Sequence, residues 1–544
     1  MTKRYRTMVA LFWIFGVTTT AHLLYSALGF NPTDDGFTLA YARRLLDGQI
    51  PHRDFVIIRP ALSPALHMPE VLLGGQFTYW LSRFIFFFQC ACIAWFGTAF
   101  INRGLGRPMA LSDQCAFAVI SFVLGCHSFP AMAWHTIDGF FLCMLAFHIR
   151  SVSSVYARPL AYVLMGLAYL CKQSFLFVAP GALLIFGDWR DWRNPMACAL
   201  PAILYIAMLG LFGGIFDGWQ QLFSQTGILQ VGFSPYFDER VFSGVLAGIA
   251  ATSLLYSETQ EGWPRTTIIR LLAACACIGA IFMLAISSLF SNGFYSFSFA
   301  LFGMVCGAIL YLVLEGKHRW LRQIQTGMVA VLLAWSVALS LGYNSPVLGG
   351  GMLLVFLLGL LYERLPRHRP RWLSVVPFFM ALPAIAVFHH TRTHHIYRDR
   401  PASELTASVG DILPGGGFIR TNPNTHAFLT DLNLAIAGVV GRGFEYAIVP
   451  DVAGHWAKSE QENPLPIDWV QGTELNTETL RRRVIRSIEN RRNRQMIIVQ
   501  KFRASVLPKG FAKLVGDKSY YAIVSYIKVN LEKRQETRYF EIYQ

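Results

Sequence analysis

The chain has 544 residues, of which 54% are hydrophobic and 15% charged, and its formal net charge is +15. A soluble protein carries about 25% charged residues, so this composition excludes an ordinary soluble enzyme and favours a polytopic membrane protein. The basic residues fall mostly in short loops between apolar stretches, a pattern typical of cytoplasmic loops. This placement argues against a nucleic-acid partner.

The N-terminal segment combines Lys3, Arg4 and Arg6 with an apolar run over residues 8–30. The run is long for a cleaved signal peptide, so we expect a signal anchor whose basic end stays in the cytoplasm. The polar segment that follows, residues 31–75, would then lie outside the membrane and be tethered by this anchor.

Apolar stretches of about 20 residues, the length that crosses a bilayer, recur over residues 1–390. If every basic loop between them is cytoplasmic, residues 112–149 and residues 159–187 must each form a hairpin, the second turning near Lys172. This predicts about 13 spans, with the N-terminus inside and the C-terminus outside. The basic loops contain Arg103 and Arg107, Arg150 and Arg158, Arg190 and Arg193, Arg265 and Arg270, Lys317 and Arg322, and Arg364 to Arg371.

Two more segments are predicted to lie outside: a polar, aromatic loop over residues 217–240 and a soluble domain over residues 391–544, which has no cysteine. The expected fold is therefore an all-α polytopic membrane protein with a C-terminal extracytoplasmic α/β domain. Within that domain the residue pattern predicts strands over 496–500 and 521–529, a basic helix over 477–494 and a final strand within 534–543.

Two adjacent carboxylates, Asp34 and Asp35, follow the first apolar run. One interpretation is that both only stabilise a helix N-terminus, because Pro32 and Thr33 precede a helix-forming stretch. Neighbouring side chains on a helix diverge by about 100°, so we expect only one of them to face a reacting atom. The other would bind a cation, cap the helix or hold a loop.

Arg59 stands in an apolar stretch shortly after His52 and Arg53. An unpaired charge at membrane depth costs about 2.5–3.5 kcal/mol on insertion scales. Either the side chain extends to water, or it binds an anion, for which a lipid-linked phosphate is the natural candidate.

Asp138 and Lys172 occur at the predicted outer turns of the two hairpins. Each alone could be a turn residue. Together with Asp34, Asp35 and Arg59 they would bring three carboxylates and two cations to one membrane face. A transporter more often carries its charges at the midplane, within broken helices.

In order and spacing these residues resemble the motifs of the GT-C glycosyltransferases, membrane enzymes that use polyprenyl-phosphate sugars. Within that superfamily the chain is similar to the aminoarabinose transferase and protein O-mannosyltransferase group, by motif over residues 1–240 and by architecture beyond. Asp34-Asp35 stands where the group has Asp-Glu, Arg59-Pro60 where it has Lys-Pro, Ile137-Asp138-Gly139 where it has Leu-Asp-Pro, and Cys171-Lys172-Gln173 where it has Thr-Lys-Gly.

The resemblance implies an inverting transfer of a sugar from a polyprenyl-phosphate donor to a lipid, glycan or protein acceptor, at the outer face of a bacterial inner membrane. Phosphate is a good leaving group, so one base suffices and no general acid is needed, unlike in glycoside hydrolysis. No metal ligand is assigned, and a divalent cation stays open. The implied roles are catalysis for Asp34 (the base) and Asp35, donor-phosphate binding for Arg59 and Lys172, and substrate binding for His52, Arg53, Asp138 and Gln173.

Other functions also stay open. One is a transporter or flippase of lipid-linked or envelope precursors without transferase activity, although the sequence has no two-fold repeat. Another is an O-antigen-type ligase or polymerase that uses polyprenyl diphosphate donors. Those enzymes carry their large outside loop late in the chain, whereas here the polar residues concentrate in residues 31–75. A structural subunit is a third reading.

Overall fold

The computed structural model describes residues 3–127, 129–225, 227–256, 272–273, 276, 279–288, 294–340, 344–364, 376–514 and 518–544. The protein is mostly helical (68%), with a small sheet region in its C-terminal part. The basic loops at Arg265 and Arg270 and at Arg367 to Arg371 lie outside the described residues.

Most of the helices precede residue 395. They are α1 (Lys3–Tyr25), α2 (Asp34–Leu46), α3 (Leu62–Leu66), α4 (Met68–Leu73), α5 (Thr78–Gly104), α6 (Leu111–Cys126), α7 (His135–Arg150), α8 (Ala157–Cys171), α9 (Val178–Phe186), α10 (Arg193–Leu211), α11 (Ile215–Leu222), α12 (Ile228–Phe233), α13 (Glu239–Tyr256), α14 (Gly279–Ser288), α15 (Phe294–Leu314), α16 (Leu321–Ala338), α17 (Gly350–Arg364) and α18 (Val376–His394).

Five helices of the described ranges are long and apolar enough to cross a membrane. Shorter apolar helices, among them α6 and α8, accompany them. The count of about 13 spans stays a prediction. The five are Arg4–Tyr25, Gly75–Gly104, Arg193–Leu211, Tyr295–Leu314 and Pro346–Arg364.

Both predicted helix interruptions are confirmed. Residues 127–134 separate α6 from α7, and both helices pack against α5. The chain breaks again at Lys172, whose backbone is extended (φ −156°, ψ 134°) between α8 and the short 3₁₀ helix Gln173–Phe177. Lys172 therefore lies at a helix terminus rather than within a helix.

The C-terminal part contains the predicted α/β fold. Strands β1 (Ala407–Ser408) and β2 (Arg420–Thr421) form an antiparallel pair. A four-stranded sheet of order β3-β4-β6-β5 follows, in which only β3 and β4 run parallel. Its strands are β3 (Glu445–Val449), β4 (Gln495–Gln500), β5 (Lys533–Glu536) and β6 (Phe540–Tyr543), and its helices are α19 (Pro423–Val440), α20 (Ala453–Trp456), α21 (Glu478–Asn490) and α22 (Ala522–Asn530).

The crossover between β3 and β4 follows the usual logic of parallel strands, which need a long connection such as a helix. Helix α21 supplies it and buries Leu480, Val484 and Ile488, which recur every four residues on one face. The predicted strand at 496–500 and the basic helix at 477–494 are thus confirmed.

One strand prediction is wrong. Residues 522–529 are helical and belong to α22, where Ile523, Val524 and Ile527 are buried. Spacings of one, three and four residues suit one face of a helix, whereas a strand buries alternate residues. The final strand is also divided, since β5 and β6 form an antiparallel pair joined by a turn.

The polar segment 31–75 packs into the core of the C-terminal domain. Leu39, Ala42 and Val71 share one hydrophobic cluster with Trp456, and Val56 and Ile58 join a second cluster formed by that domain. The approach is close enough that a Cβ added to Gly36 would lie 2.1 Å from the Cα atom of Gly454. The two polar parts therefore form one layer over the ends of the apolar helices.

Candidate functional site

A cavity of about 590 Å³ lies between this polar layer and the apolar helices. Of the predicted site residues, Asp34, Arg59, Lys172 and Gln173 line it. These four residues share the lining with further polar residues, which the sequence did not indicate, and with an apolar wall. The former include His135, Tyr397, Arg398, Glu474 and Tyr520, and the latter includes Leu176, Phe177, Phe223, Leu229, Val337 and Leu339.

The Asp34 side chain lines the cavity and takes no part in capping α2, because Asn31 and Asp35 make the hydrogen bonds at the start of that helix. The Asn31 side-chain oxygen accepts hydrogen bonds from the backbone N–H groups of Thr33 (3.2 Å) and Asp34 (2.9 Å). Asp35 completes this cap by accepting a 2.7 Å bond from the backbone N–H of Asn31. The interpretation that both aspartates only stabilise the helix therefore fits Asp35 and not the side chain of Asp34.

The Asp34 carboxylate is 2% exposed and uses one oxygen for its contacts. Its Oδ2 atom accepts a hydrogen bond from the Tyr397 hydroxyl (2.9 Å) and pairs with Arg398 Nη1 (2.7 Å). No group in the described part of the chain donates to Oδ1. Burial raises the pKa of Asp34 above its ordinary value, and Arg398 and Tyr397 lower it by less.

Lys172 brings a buried cation to the same cavity. Its side chain is 6% exposed, and its Nζ atom donates a 3.0 Å hydrogen bond to Thr136 Oγ1. Within the described ranges no carboxylate forms an ion pair with it. A buried ammonium group with only a neutral partner favours a bound anion, because the anion supplies the missing counter-charge.

Arg59 already has a protein partner. Its Nη1 atom lies 3.1 Å from Glu474 Oε1, and its guanidinium lies over the Phe37 ring at 5.7 Å from the centroid. The sequence left extension to water and an anion partner as alternatives, and the structure supplies the Glu474 carboxylate from the C-terminal domain. A guanidinium has five N–H donors in a fork, so further donors remain for a phosphate.

Gln173 is used by the scaffold. Its Nε2 atom donates to the backbone carbonyls of Ile58 (2.5 Å) and Leu222 (3.4 Å). These bonds tie the polar segment 31–75 and α11 together at the cavity wall. Gln173 thus positions neighbouring groups, and its amide nitrogen is not free for a substrate.

Two predicted residues lie outside the cavity and stabilise other parts of the structure. Asp35 pairs with Arg83 at 2.9 Å, in addition to capping α2. Asp138 is fully buried and bonds to Ser63 Oγ (2.5 Å), His67 Nε2 (3.1 Å) and Gln89 Nε2 (2.7 Å). Both carboxylates accept hydrogen bonds from side chains of neighbouring helices and so stabilise the packing between them.

His52 and Arg53 also lie outside the cavity. The His52 ring is fully buried, with Nε2 at 2.7 Å from the Tyr205 hydroxyl and Nδ1 at 3.1 Å from Gln221 Oε1. Arg53 is exposed and pairs with its neighbour Asp54 at 2.8 Å. Direct contact of either side chain with a ligand in the cavity is not supported by these positions.

The sequence did not single out Tyr397, Arg398 and Glu474. Arg398 adopts a left-handed backbone conformation (φ +48°), which for a residue other than glycine costs about 1–2 kcal/mol. Such strain concentrates at functional sites. The only signal in the sequence is a charged stretch directly after the last apolar helix, and this has no specific spacing.

Comparisons of the chain with protein-family models, with curated proteins and with solved structures give no match. Among the described residues no group of three or more His, Cys, Asp or Glu side chains could hold a metal ion. The cavity combines a carboxylate with an unbonded oxygen, three cationic side chains and an apolar wall.

Proposed function

We propose that the protein is an inverting glycosyltransferase of the GT-C type, which moves a sugar from a polyprenyl-phosphate donor to a lipid, glycan or protein acceptor. One observation carries the proposal: Asp34, with an oxygen that is free to accept a proton, lines the same cavity as Arg59 and Lys172. This is the pairing of a base with anion-binding groups that the reaction needs.

In the proposed reaction an acceptor hydroxyl attacks the anomeric carbon and forms the new glycosidic bond. The bond between that carbon and the phosphate oxygen breaks, and polyprenyl phosphate leaves with the electron pair. The hydroxyl proton passes to Asp34 Oδ1. Tyr397 and Arg398 hold the other oxygen of Asp34 and so orient the base.

Charge on the departing phosphate grows during the reaction and calls for fixed cations. Lys172 supplies an ammonium without a carboxylate partner in the described structure, and Arg59 supplies the donors that Glu474 leaves free. The cations Arg59, Lys172 and Arg398 outnumber the carboxylates Asp34 and Glu474 in the cavity lining. An incoming phosphate would correct this imbalance.

The apolar wall suits the lipid part of the donor. Leu176 and Phe177 line the cavity and are 50% and 38% exposed, so this side of the cavity reaches the surface of the apolar helices. A polyprenyl chain can pack there while its phosphate lies at the polar end. The proposal includes about 13 spans and an extracytoplasmic site in a bacterial inner membrane.

The transporter alternative fits the placement of charges less well. Transporters keep substrate-binding charges near the midplane of discontinuous spans. Here Asp34 begins a helix that is not among the candidate spans, and Lys172 follows the last residue of α8. Whether a divalent cation assists the reaction is a separate question that chelation can address.

The test is the profile of envelope glycans and glycolipids in a strain that lacks the gene, complemented with variants. We expect Asp34→Asn to reproduce the deletion profile while the protein remains folded in the membrane. Asp411→Asn, a change at an exposed aspartate of the C-terminal domain, serves as the control and should restore the wild-type profile. Full complementation by Asp34→Asn would remove the base assignment.

A further inference from the structure

A second cavity, of about 770 Å³, adjoins the first. Phe223, Thr473 and Tyr520 line both cavities and form their common boundary. The second cavity, here called the side groove, is formed by α11 on one side and by residues 472–481 and 519–520 of the C-terminal domain on the other. A molecule in the side groove thus lies against the same residues that border the cavity that holds Asp34.

The lining of the side groove is rich in amide and hydroxyl groups. The only charged residue of this lining in the described structure is Arg481, which lies 3.4 Å from the Glu478 carboxylate. The side chains with amide or hydroxyl groups are Gln220, Ser224, Thr473, Asn476, Thr477, Thr479, Ser519 and Tyr520. This chemistry favours a ligand with many hydroxyl groups over one that depends on a strong charge.

An exposed aromatic ring adds an apolar surface. Trp219 lines the side groove and is 66% exposed, and its ring lies 4.3 Å from that of Phe223, which is 62% exposed. The C–H face of a pyranose ring packs well on such a surface, while its hydroxyls bond to amides and hydroxyls around it. Carbohydrate combines these two kinds of surface in one molecule.

Asn476 provides a specific polar contact. Its Nδ2 atom donates a 2.6 Å hydrogen bond to the Ser224 carbonyl, which ties the C-terminal domain to the end of α11. Its Oδ1 atom has no hydrogen-bond partner in the part of the chain that the structure describes. This acceptor is buried in the wall of the groove, and a ligand hydroxyl that reached it would supply the donor that it lacks.

We propose that the side groove binds the saccharide part of the acceptor and directs its reactive hydroxyl toward Asp34. This inference rests on the proposed function and names the acceptor class as carbohydrate. A protein acceptor fits less well, because none of the lining residues belongs to a β-strand of the described structure, so an extended peptide finds no strand edge to pair with.

Binding, rather than turnover, tests the inference. Oligosaccharides released by mild acid from the envelope of the deletion strain, where unmodified acceptor accumulates, are labelled with a fluorophore. They are titrated onto the full-length protein in lipid nanodiscs and followed by fluorescence polarisation. We expect Trp219→Ala to weaken binding at least tenfold and the nearly isosteric Thr479→Val to weaken it severalfold. Phe216→Ala, on the same helix and 71% exposed but outside the lining, should bind like wild type.

Two further arms use the intact glycolipid in vesicles and labelled tryptic peptides of envelope proteins. Binding of the free oligosaccharide or of the glycolipid, with the same dependence on Trp219, supports the inference, and their ratio tells whether the lipid contributes. The inference is overturned if the wild-type protein binds neither saccharide form, if Trp219→Ala binds as tightly as Phe216→Ala, or if only the peptides bind. Saccharide binding through Trp219 without any sugar transfer would refute the proposed function and leave the binding site standing.

Discussion

Asp34 and Arg398 lie 364 positions apart in the chain, and their side chains meet at 2.7 Å between Oδ2 and Nη1. The Asp34 side chain is 2% exposed and that of Arg398 is 34% exposed, so the pair closes the polar end of the cavity from the side of the C-terminal domain. Arg398 neutralises a carboxylate that would otherwise be buried alone. It also leaves the second oxygen of that carboxylate available.

The first prediction concerns this pair. Arg398→Ala should lower the free energy of unfolding by about 1–3 kcal/mol, because a buried carboxylate loses its charged donor. The measurement is a double-mutant cycle with Asp34→Asn, using thermal unfolding in detergent. In the Asp34→Asn background the same arginine change should have a much smaller effect. Equal effects in both backgrounds would mean that the ion pair contributes nothing to stability.

The second prediction concerns pH. A base works in its deprotonated form, and burial raises the pKa of Asp34. The rate of donor turnover should therefore fall with decreasing pH, with an apparent pKa above that of an ordinary aspartate. Arg398 opposes this shift, so Arg398→Ala should move the acid limb to still higher pH. A pH–rate profile that is the same for wild type and Arg398→Ala would contradict the assignment of Asp34 as the base.

The third prediction concerns the anion site. Lys172→Met keeps the length of the side chain and removes its charge, so donor binding should weaken at least tenfold. Binding of a polyprenyl phosphate without sugar, measured in nanodiscs, isolates this effect from catalysis. Lys458→Met is the control, since Lys458 donates to the Val71 carbonyl away from the cavity lining. Unchanged binding of the polyprenyl phosphate by Lys172→Met would exclude Lys172 as a phosphate ligand.

The fourth prediction concerns the layer formed by the polar segment 31–75 and the C-terminal domain. Arg44 forms a bidentate pair with Asp468 at 2.7 and 2.8 Å, and both side chains are buried. Arg44→Ala should destabilise the protein by about 3–5 kcal/mol, because it leaves a buried charge alone. Arg482→Ala breaks the exposed pair with Glu478 and should cost at most about 1 kcal/mol. Chemical unfolding of the purified protein compares the two.

The fifth prediction tests the closest backbone approach in that layer. A Cβ at position 36 would overlap the Gly454 backbone, which cannot rotate away, so Gly36→Ala should cost about 1–3 kcal/mol. Gly16→Ala is the matched control within a helix, because a Cβ there meets nothing within 4 Å. We expect the control to be neutral or slightly stabilising. Similar thermal stability of the two variants would show that the layer yields without cost.

Local patterns in the sequence predicted several elements correctly. The helix break at Lys172 followed from placing every basic loop on one side of the membrane. The polar start of α2 at Asp34 and the buried strand at 495–500 depend on neighbours within a few residues. The strand expected at 521–529 failed for the same reason. Its β-branched residues suit a strand locally, whereas packing against the rest of the domain requires Ile523, Val524 and Ile527 on one helical face.

The candidate site divides in the same way. That only one side chain of the acidic pair is available follows from helix geometry, and the concentration of charge in residues 31–75 is visible in the sequence. The contribution of Arg398, Glu474 and Tyr520 to the site is not visible in the sequence, because these residues come from a domain more than 300 positions away. The periodicity of apolar residues indicates that one face of a helix or strand is buried, and an apolar surrounding indicates that a charged residue costs free energy there. Only the packing of the two polar parts decides which cation neutralises which carboxylate, and thereby which carboxylate oxygen remains free.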